Sequence, residues 1–264
     1  MRRQKLLRRL ATLGVLVAIL AIWKLYVVLA DVSPLLLPSP ETVVEGTYSL
    51  LIEPSSLNHM RITLTETLLG FAIAAVAGVA VGTILGKMAT LEAIVQPYVV
   101  ATQVIPKIAL APLFVLWFGF GMNSKIFLAA LLGFFPIVTN TILGIKSVSR
   151  DHADVMRSMS ATKLQTFRFL DLPSALPSIL AGMEVGIVLS QIGAIVGEYL
   201  GGSSGLGFMA IQTLNELQIG RLFGVIALLT IMGYLLYSAV GLVQRYAIPW
   251  HDSVALQKSL GGVS

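Results

Sequence analysis

Residues 157–173 read RSMSATKLQTFRFLDLP, a polar and cationic segment in a chain that is otherwise rich in apolar residues. An apolar stretch precedes this segment at Lys125–Lys146, and a second follows it at Ala175–Leu200. Each stretch has the length of roughly 20 residues that a membrane-spanning helix needs. The polar segment is therefore predicted to connect two membrane spans.

The composition of the whole chain predicts a polytopic membrane protein. Of its 264 residues, 56% are hydrophobic and only 12% are charged, whereas soluble domains carry about twice that charged fraction. Stretches long and apolar enough to span a bilayer occur at Leu10–Ala30, Thr63–Gly86, Val95–Gly119, Lys125–Lys146, Ala175–Leu200 and Leu222–Val243. The expected fold class is all-α, with about six transmembrane helices.

Residue types that bind metals or act as covalent nucleophiles are scarce. The chain has no cysteine, so it offers neither a disulfide nor a thiolate ligand. Its histidines, His59, His152 and His251, lie far apart in sequence, and none has a metal-ligand spacing. We expect no metal site.

The first apolar stretch has two interpretations. Its basic start, RRQKLLRR, resembles that of a secretory signal, and residues 28–30 would pass as a cleavage site. The apolar core of a signal usually has about 7–15 residues, and this stretch is longer. We therefore favour an uncleaved span.

The distribution of basic residues predicts the orientation, because lysine and arginine accumulate on the cytoplasmic side of membrane spans. With the N-terminus inside, most of the 18 basic residues fall on the cytoplasmic side. Few fall on the outer side or within spans: Arg61, Lys125, Arg221, Lys24 and Lys107. We expect both termini and the polar segment in the cytoplasm. The net charge of +5 then reflects topology, not nucleic-acid binding.

A single membrane domain is predicted at residues 10–250, between a basic cytoplasmic N-terminal tail at 1–9 and a cytoplasmic C-terminal tail at 251–264. The longest outer segment, Asp31–Ile62, is too short for a separate domain. Its prolines exclude one continuous helix there: Pro34, Pro38 and Pro40.

The polar segment is predicted to form a pair of short helices, because apolar residues recur in it near helical spacing: Val155, Met156, Met159, Leu164 and Phe167. Pro173 and Pro177 are expected to interrupt the chain before the fifth span. Two interpretations stay open from this pattern alone. Cationic amphipathic helices rest on lipid headgroups, and an apolar helix face also fits a groove on a partner protein.

The spacing of the segment resembles a motif of known transport proteins. Integral-membrane subunits of bacterial ABC importers carry, in this same loop, the pattern E-A-A, a three-residue gap, G, a nine-residue gap, I, one residue, and L-P. Here the same spacing puts 154–156 (DVM) at E-A-A, Ser160 at G, Leu170 at I and 172–173 (LP) at L-P. The serine at the glycine position favours a more ordinary backbone than a tight turn. The larger Val155 and Met156 imply a differently shaped partner groove.

Other segments are similar to one branch of that family, the permeases for nitrate, sulfonate, taurine and related small solutes. They include LLPSP at Leu36–Pro40, Leu69–Phe71 before a glycine-rich span, and IPKIALAPLFVLWFGFG at Ile105–Gly121. GEYLGGSSGLGFM at Gly197–Met209 and the closing Ile248–Trp250 are also similar. The resemblance runs over most of the chain.

The resemblance implies a type I ABC importer-like fold with a cytoplasmic coupling helix between the fourth and fifth spans. Two permease copies, expected to form a homodimer, would enclose one path in the bacterial inner membrane. Two cytoplasmic ATP-binding subunits would use ATP and Mg, and a periplasmic or lipid-anchored binding protein would deliver a small solute. The solute would be sulfonate, nitrate, carboxylate or vitamin-precursor-like.

Within the coupling segment, residues 151–173, the resemblance assigns contact with the ATPase to a specific set: Asp154, Val155, Met156, Arg157, Met159, Ser160, Leu170, Leu172 and Pro173. The chain itself lacks the phosphate-binding pattern G-x-x-x-x-G-K-[ST]. Its nearest approach, Gly82–Met88, is one residue short and ends in methionine. We therefore expect a non-catalytic subunit that binds no cofactor.

Polar residues inside spans are the candidates for a translocation path, because they cost roughly 2.5–3.5 kcal/mol on insertion scales and often mark solute pathways. Lys107 lies between Pro106 and Pro112, which predict a bend. A cation there suits an anionic solute, or alternatively it reaches an interface or pairs with a carboxylate. Glu198 precedes the glycine-rich GGSSGLG, a possible gate, and Gln103 and Gln191 are further candidates.

Glycines within the spans fit helix packing better than nucleotide binding. They repeat every four residues in two groups: Gly78, Gly82 and Gly86, and Gly193, Gly197 and Gly201. Small residues at this spacing let helix backbones approach closely.

Two rival functions fit the sequence less well. An ion-coupled secondary transporter predicts inverted repeats and paired broken helices, and no such repeat is detectable. An intramembrane serine protease would need a base beside Ser203 or Ser204, and no histidine lies within a predicted span.

Overall fold

The computed structural model describes the backbone of residues 2–249 and the side chains of residues 10–102 and 104–249. Every regular element in this range is helical, as predicted. The α-helices are α1 (Arg2–Leu29), α2 (Pro40–Ile52), α3 (Pro54–Lys87), α4 (Ala89–Val104), α5 (Ala111–Phe118), α6 (Met122–Lys146), α7 (Arg150–Ser158), α8 (Lys163–Thr166), α9 (Leu172–Gly201), α10 (Leu206–Asn215) and α11 (Ile219–Ala247). A 3-10 turn, Lys107–Leu110, precedes α5, and a π-helical turn, Phe167–Asp171, joins α8 to α9.

The spans agree with the predicted number. Five helical segments in the described range are long and apolar enough to cross a membrane: Leu10–Leu29 of α1, α3, α6, the continuous stretch Lys163–Gly201, and α11. The remaining predicted span is broken, since α4 and α5 meet at an angle of 80°. The bend falls around Pro106, where the prolines predicted it.

Several boundaries differ from the prediction. Helix α3 begins at Pro54, nine residues before the expected Thr63, because Pro54 suits the first helical position. The interruption expected at Pro173 and Pro177 is wrong, since helix continues through both. Pro173 lies in the first turn of α9, where a missing N–H costs little, and packing by neighbouring helices tolerates Pro177 inside the helix. Residues 2–9, expected as a tail, are helical from Arg2.

The outer segment breaks as its prolines predicted. Ser39 caps α2 with its hydroxyl on the N–H of Thr42, and Glu53 separates α2 from α3. The guanidinium of Arg221 at the start of α11 lies 2.5 Å from Glu53 Oε2. A hydrogen bond from Ser55, assisted by the Arg221 charge, holds the pKa of Glu53 below its usual value against the effect of desolvation.

The centre of the bundle is a three-helix core in which α3 and α9 both pack on α6. Five of the six glycines in the two predicted groups lie at these crossings, and the sixth, Gly201, faces Val115 of α5. On α3, Gly78 and Gly82 face Ile137 and Thr141 of α6, and on α9, Gly193 faces the backbone of Ala129. The glycines therefore serve close helix packing, as predicted.

We predict that Gly193→Ala destabilises the protein by about 1–3 kcal/mol. A Cβ at this position would lie 2.7 Å from Ala129 Cα and 2.8 Å from Leu128 O, so backbone would have to move. Thermal unfolding in detergent measures the effect. Gly14→Ala is the matched control, because nothing lies within 4 Å of a Cβ there. Equal midpoints for the two variants would contradict the proposed crossing.

Candidate functional site

The polar segment presents an exposed short helix with apolar side chains on its surface. Helices α7 and α8 form the predicted helix pair between the fourth and fifth spans. Val155 and Met159 are 54% and 72% exposed, although both are apolar. Asp154 and Arg157 pair with each other at 3.0 Å and are also exposed. An exposed mixture of apolar and charged side chains is available for contact with another molecule.

The turn after α7 corrects the expectation for Ser160. Its backbone has φ +57°, the left-handed conformation that glycine adopts most easily. The N–H of Ala161 donates to Met156 O and that of Ser160 to Arg157 O, so the helix ends in the tight turn that usually carries glycine. Thr162 then starts α8 with a capping box that includes Gln165. Hydrogen bonds on both sides hold serine in the tight conformation.

The second half of the pattern anchors the segment to the bundle. Leu172 packs against a core formed by Ile145, Ala175 and Ile179. Leu170 and Pro173 are half-buried. The first half of the pattern is therefore exposed on the outside of the bundle, whereas the second half is packed against it.

Two ion pairs hold the helix ends beside this anchor. Lys87, the last residue of α3, pairs with Asp171, which is only 5% exposed. The Nζ of Lys146, the last residue of α6, lies 2.6 Å from Oε2 of Glu92 of α4. The glycine and lysine of Gly82–Met88, the nearest approach to a phosphate-binding pattern, have structural roles instead. Gly82 packs on α6, and Lys87 forms an ion pair with Asp171.

The predicted path residues lie in different environments. The Nζ of Lys107 lies 4.8 Å from the centroid of the Phe135 ring, within the range of a cation–π contact. The Nε2 of Gln191 donates to Leu229 O at 2.8 Å, which joins α9 to α11. The side chain of Gln103 lies outside the described residues. Their role in solute passage stays a prediction.

Glu198 lies in a buried polar cluster at the far end of the bundle from α7. It accepts hydrogen bonds from the hydroxyl of Thr63 at 2.6 Å and from the N–H of Gly207 at 2.5 Å. Lys125 and Glu66 lie in the same cluster, and their Nζ and Oε1 atoms are 3.7 Å apart. Sequence reasoning missed Glu66, and it assigned Lys125 to the outer side without predicting that its side chain is only 3% exposed. An acidic residue within an apolar span is the signal that marks Glu66.

His59 also differs from the sequence prediction, because the early start of α3 places it inside a helical span. Its Nδ1 accepts the backbone N–H of Gly205 at 2.9 Å. This nitrogen is therefore engaged by the loop that contains Ser203 and Ser204.

A solved structure shares the fold. The helices superpose on a chain of the inward-facing methionine ABC transporter MetNI with a TM-score of 0.58, over 80% of this chain and 98% of that one, at 22% identity. The two chains thus share an all-helical membrane fold.

The sequence gives the family. The chain belongs to the binding-protein-dependent transport system inner membrane components, whose sequence model matches residues 75–251. The matched range contains the whole coupling segment.

Relatives with assigned functions match most of the chain. The formylaminopyrimidine transport permease ThiX of Halalkalibacterium halodurans is 39% identical over 82% of this chain and 86% of its own length. The putative aliphatic sulfonates transport permease SsuC of Bacillus subtilis is 34% identical, over 89% and 85%. The taurine permease TauC of Escherichia coli is 31% identical, over 92% and 90%. The chain is therefore an ABC importer permease, a non-catalytic membrane component. This family membership argues against the serine protease and the ion-coupled secondary transporter.

We predict that Asp171→Asn lowers stability by about 1–3 kcal/mol, because Lys87 loses a charged partner beside a buried anchor. Asp151→Asn is the matched control, since this exposed aspartate lies on α7. Thermal unfolding of the purified protein separates them. The exchanged pair Lys87→Asp with Asp171→Lys should recover part of the loss; no recovery and no loss in the single variant would contradict a stabilising pair.

Proposed function

We propose that ATP hydrolysis on separate cytoplasmic subunits drives this permease through α7, and that the bundle opens alternately to the two sides of the membrane. The observation that carries this proposal is the split within the family pattern. Val155 on α7 and Met159 at its C-terminal cap are exposed, whereas Leu172 is partly buried and packs against a buried cluster of the bundle. A docking element needs such a free face together with a firm attachment.

Docking on a partner explains α7 better than rest on lipid headgroups. The helix is short, Arg150–Ser158, and its exposed apolar residues are followed by further exposed ones, Leu164 and Phe169. A lipid-bound helix needs a continuous apolar face with basic residues flanking it. Here Asp151 and Asp154 offset the basic residues Arg150 and Arg157, so α7 has no net positive charge with which to bind anionic lipid. A groove on a folded partner accommodates both apolar and charged residues.

The connection between α7 and the core gives a route for movement. Helix runs without interruption from Lys163 to Gly201, so a displacement of α8 is passed to α9. The Lys87–Asp171 pair ties the same point to α3. Because α3 and α9 both pack on α6, a movement at α7 reaches the three central helices together.

The remaining parts of the assembly follow from the family and from charge. Two copies of this chain form a homodimer around one path, with two ATPase subunits that bind ATP and Mg and a periplasmic or lipid-anchored binding protein. The distribution of basic residues supports a cytoplasmic position for α7 and both termini. The contact set on the ATPase side is Asp154, Val155, Met156, Arg157, Met159 and Ser160.

The solute is a small molecule delivered by the binding protein. Relatives are named for formylaminopyrimidine, aliphatic sulfonates and taurine. We propose a sulfonate, nitrate, carboxylate or vitamin-precursor-like solute, with Lys107 beside the path as the cation that favours an anion. Glu198, Gln103 and Gln191 complete the proposed path residues.

We predict that Asp154→Arg abolishes ATP-driven uptake while membrane insertion stays intact. The change reverses the charge of an exposed side chain whose one ion pair within the described residues is the surface pair with Arg157, so folding is spared. Uptake in intact cells and co-purification of the ATPase are measured together. Glu45→Arg, the same reversal at an exposed position on α2, is the control for ATPase association. Preserved ATP-driven uptake in Asp154→Arg would refute the assigned docking site.

A further inference from the structure

The cluster around Glu198 contains more charge than its partners balance. Glu66 of α3, Lys125 of α6 and Glu198 of α9 are each at least 97% buried. Two carboxylates therefore face one ammonium group. Burial of an unbalanced charge is costly, and two carboxylates that share a site seldom both ionise.

The hydrogen bonds distinguish the two carboxyl groups. Glu198 acts as an acceptor on both oxygens, from Thr63 and from the N–H of Gly207. Both oxygens of Glu66, in contrast, have no hydrogen-bond partner among the described residues. The ammonium nitrogen of Lys125 lies 3.7 Å from Glu66 Oε1, which exceeds hydrogen-bond distance. The ionised form is thus supported at Glu198 and not at Glu66.

We infer that Glu66 holds a proton, and that Glu66, Lys125 and Glu198 form a charge-neutral clasp on the loop at residues 202–207. The site is a proton-binding site buried between three spans. Its other titratable neighbours include Tyr199 of α9 and His59, whose Nδ1 accepts the N–H of Gly205. The loop and α10 contain no charged residue up to Asn215.

The clasp fastens the start of α10. Three consecutive backbone N–H groups there are engaged by side chains from the spans: Gly205 by His59, Leu206 by Thr63 and Gly207 by Glu198. Gly205 has φ +102°, and a Cβ on it would collide with the Glu198 carboxyl group. Lys125 reaches the site across Gly197, where a Cβ would lie 2.9 Å from its Cγ.

The clasp gives the loop a means of release. When Glu66 loses its proton, the buried site gains a negative charge beside the acceptor that holds Gly207. Repulsion between the carboxylates then loosens the loop from the spans. The position of this loop at the outer mouth rests on the proposed orientation, whereas the protonation of Glu66 does not.

Glu66→Gln tests the proposal, because glutamine has the shape and neutral charge of a protonated glutamate. Its matched partner is Glu198→Gln, the same change at the acceptor. We expect Glu66→Gln to keep the wild-type unfolding temperature at neutral pH and Glu198→Gln to lower it by roughly 5–10 °C. The reverse order would place the proton on Glu198, and equal losses would show two ionised carboxylates; either overturns the inference.

Two further readouts do not depend on transport. A folded state that retains a proton loses stability as pH rises, so the wild-type unfolding temperature should fall between about pH 6 and 9 more steeply than that of Glu66→Gln. The infrared difference spectrum of wild type against Glu66→Gln should show the carbonyl stretch of a protonated carboxylic acid in the wild type. Parallel pH curves, or a carboxylate band in place of the acid band, would contradict the inference even if uptake were normal.

Discussion

The close approach of α3 and α9 to α6 is the constraint on which the remaining structure depends. Backbone and polar groups inside a bilayer find no water, so they must be paired within the protein. Gly78, Gly82 and Gly193 remove the side chains that would separate the helices. The resulting contact brings Lys125 over Gly197 and toward Glu66, a pairing that a wider helix spacing would break. The packing of these three helices therefore also determines which of their buried charges lie close together.

Both ends of this core carry charges that tie loops to spans. At one end, Lys87 and Asp171 attach the helix that follows the coupling segment. At the other end, Glu198 and Thr63 hold the start of α10. A rigid core between two such attachments transmits displacement from one end to the other, because packed helices move as units rather than bending freely. This arrangement suits a transporter whose energy source and solute source lie on opposite sides of the membrane.

Local sequence patterns predicted the features that depend on local chemistry. The lengths of the apolar stretches predicted the spans, the proline positions predicted the bend near Pro106, and the spacing of small residues predicted the close helix crossings. Sequence patterns did not predict contacts between residues that are distant in the chain. The Glu66–Lys125 contact joins two spans, and no local pattern in either one shows it. The left-handed backbone of Ser160 and the helical state of Pro177 were also mispredicted, because neighbouring hydrogen bonds and helix packing outweigh the preference of the single residue.

The most direct test of an ATPase docking on α7 uses the absence of cysteine from the chain, which makes single-cysteine cross-linking unambiguous. Met159→Cys places a thiol at the exposed C-terminal cap of α7, and Glu45→Cys places one at an exposed position of α2. Cross-linking in native membranes, followed by mass spectrometry of the products, identifies the neighbour of each thiol. The account predicts an ATP-binding subunit joined to Met159→Cys and absent from Glu45→Cys. Equal capture by both positions, or capture of the ATPase by Glu45→Cys alone, would contradict it.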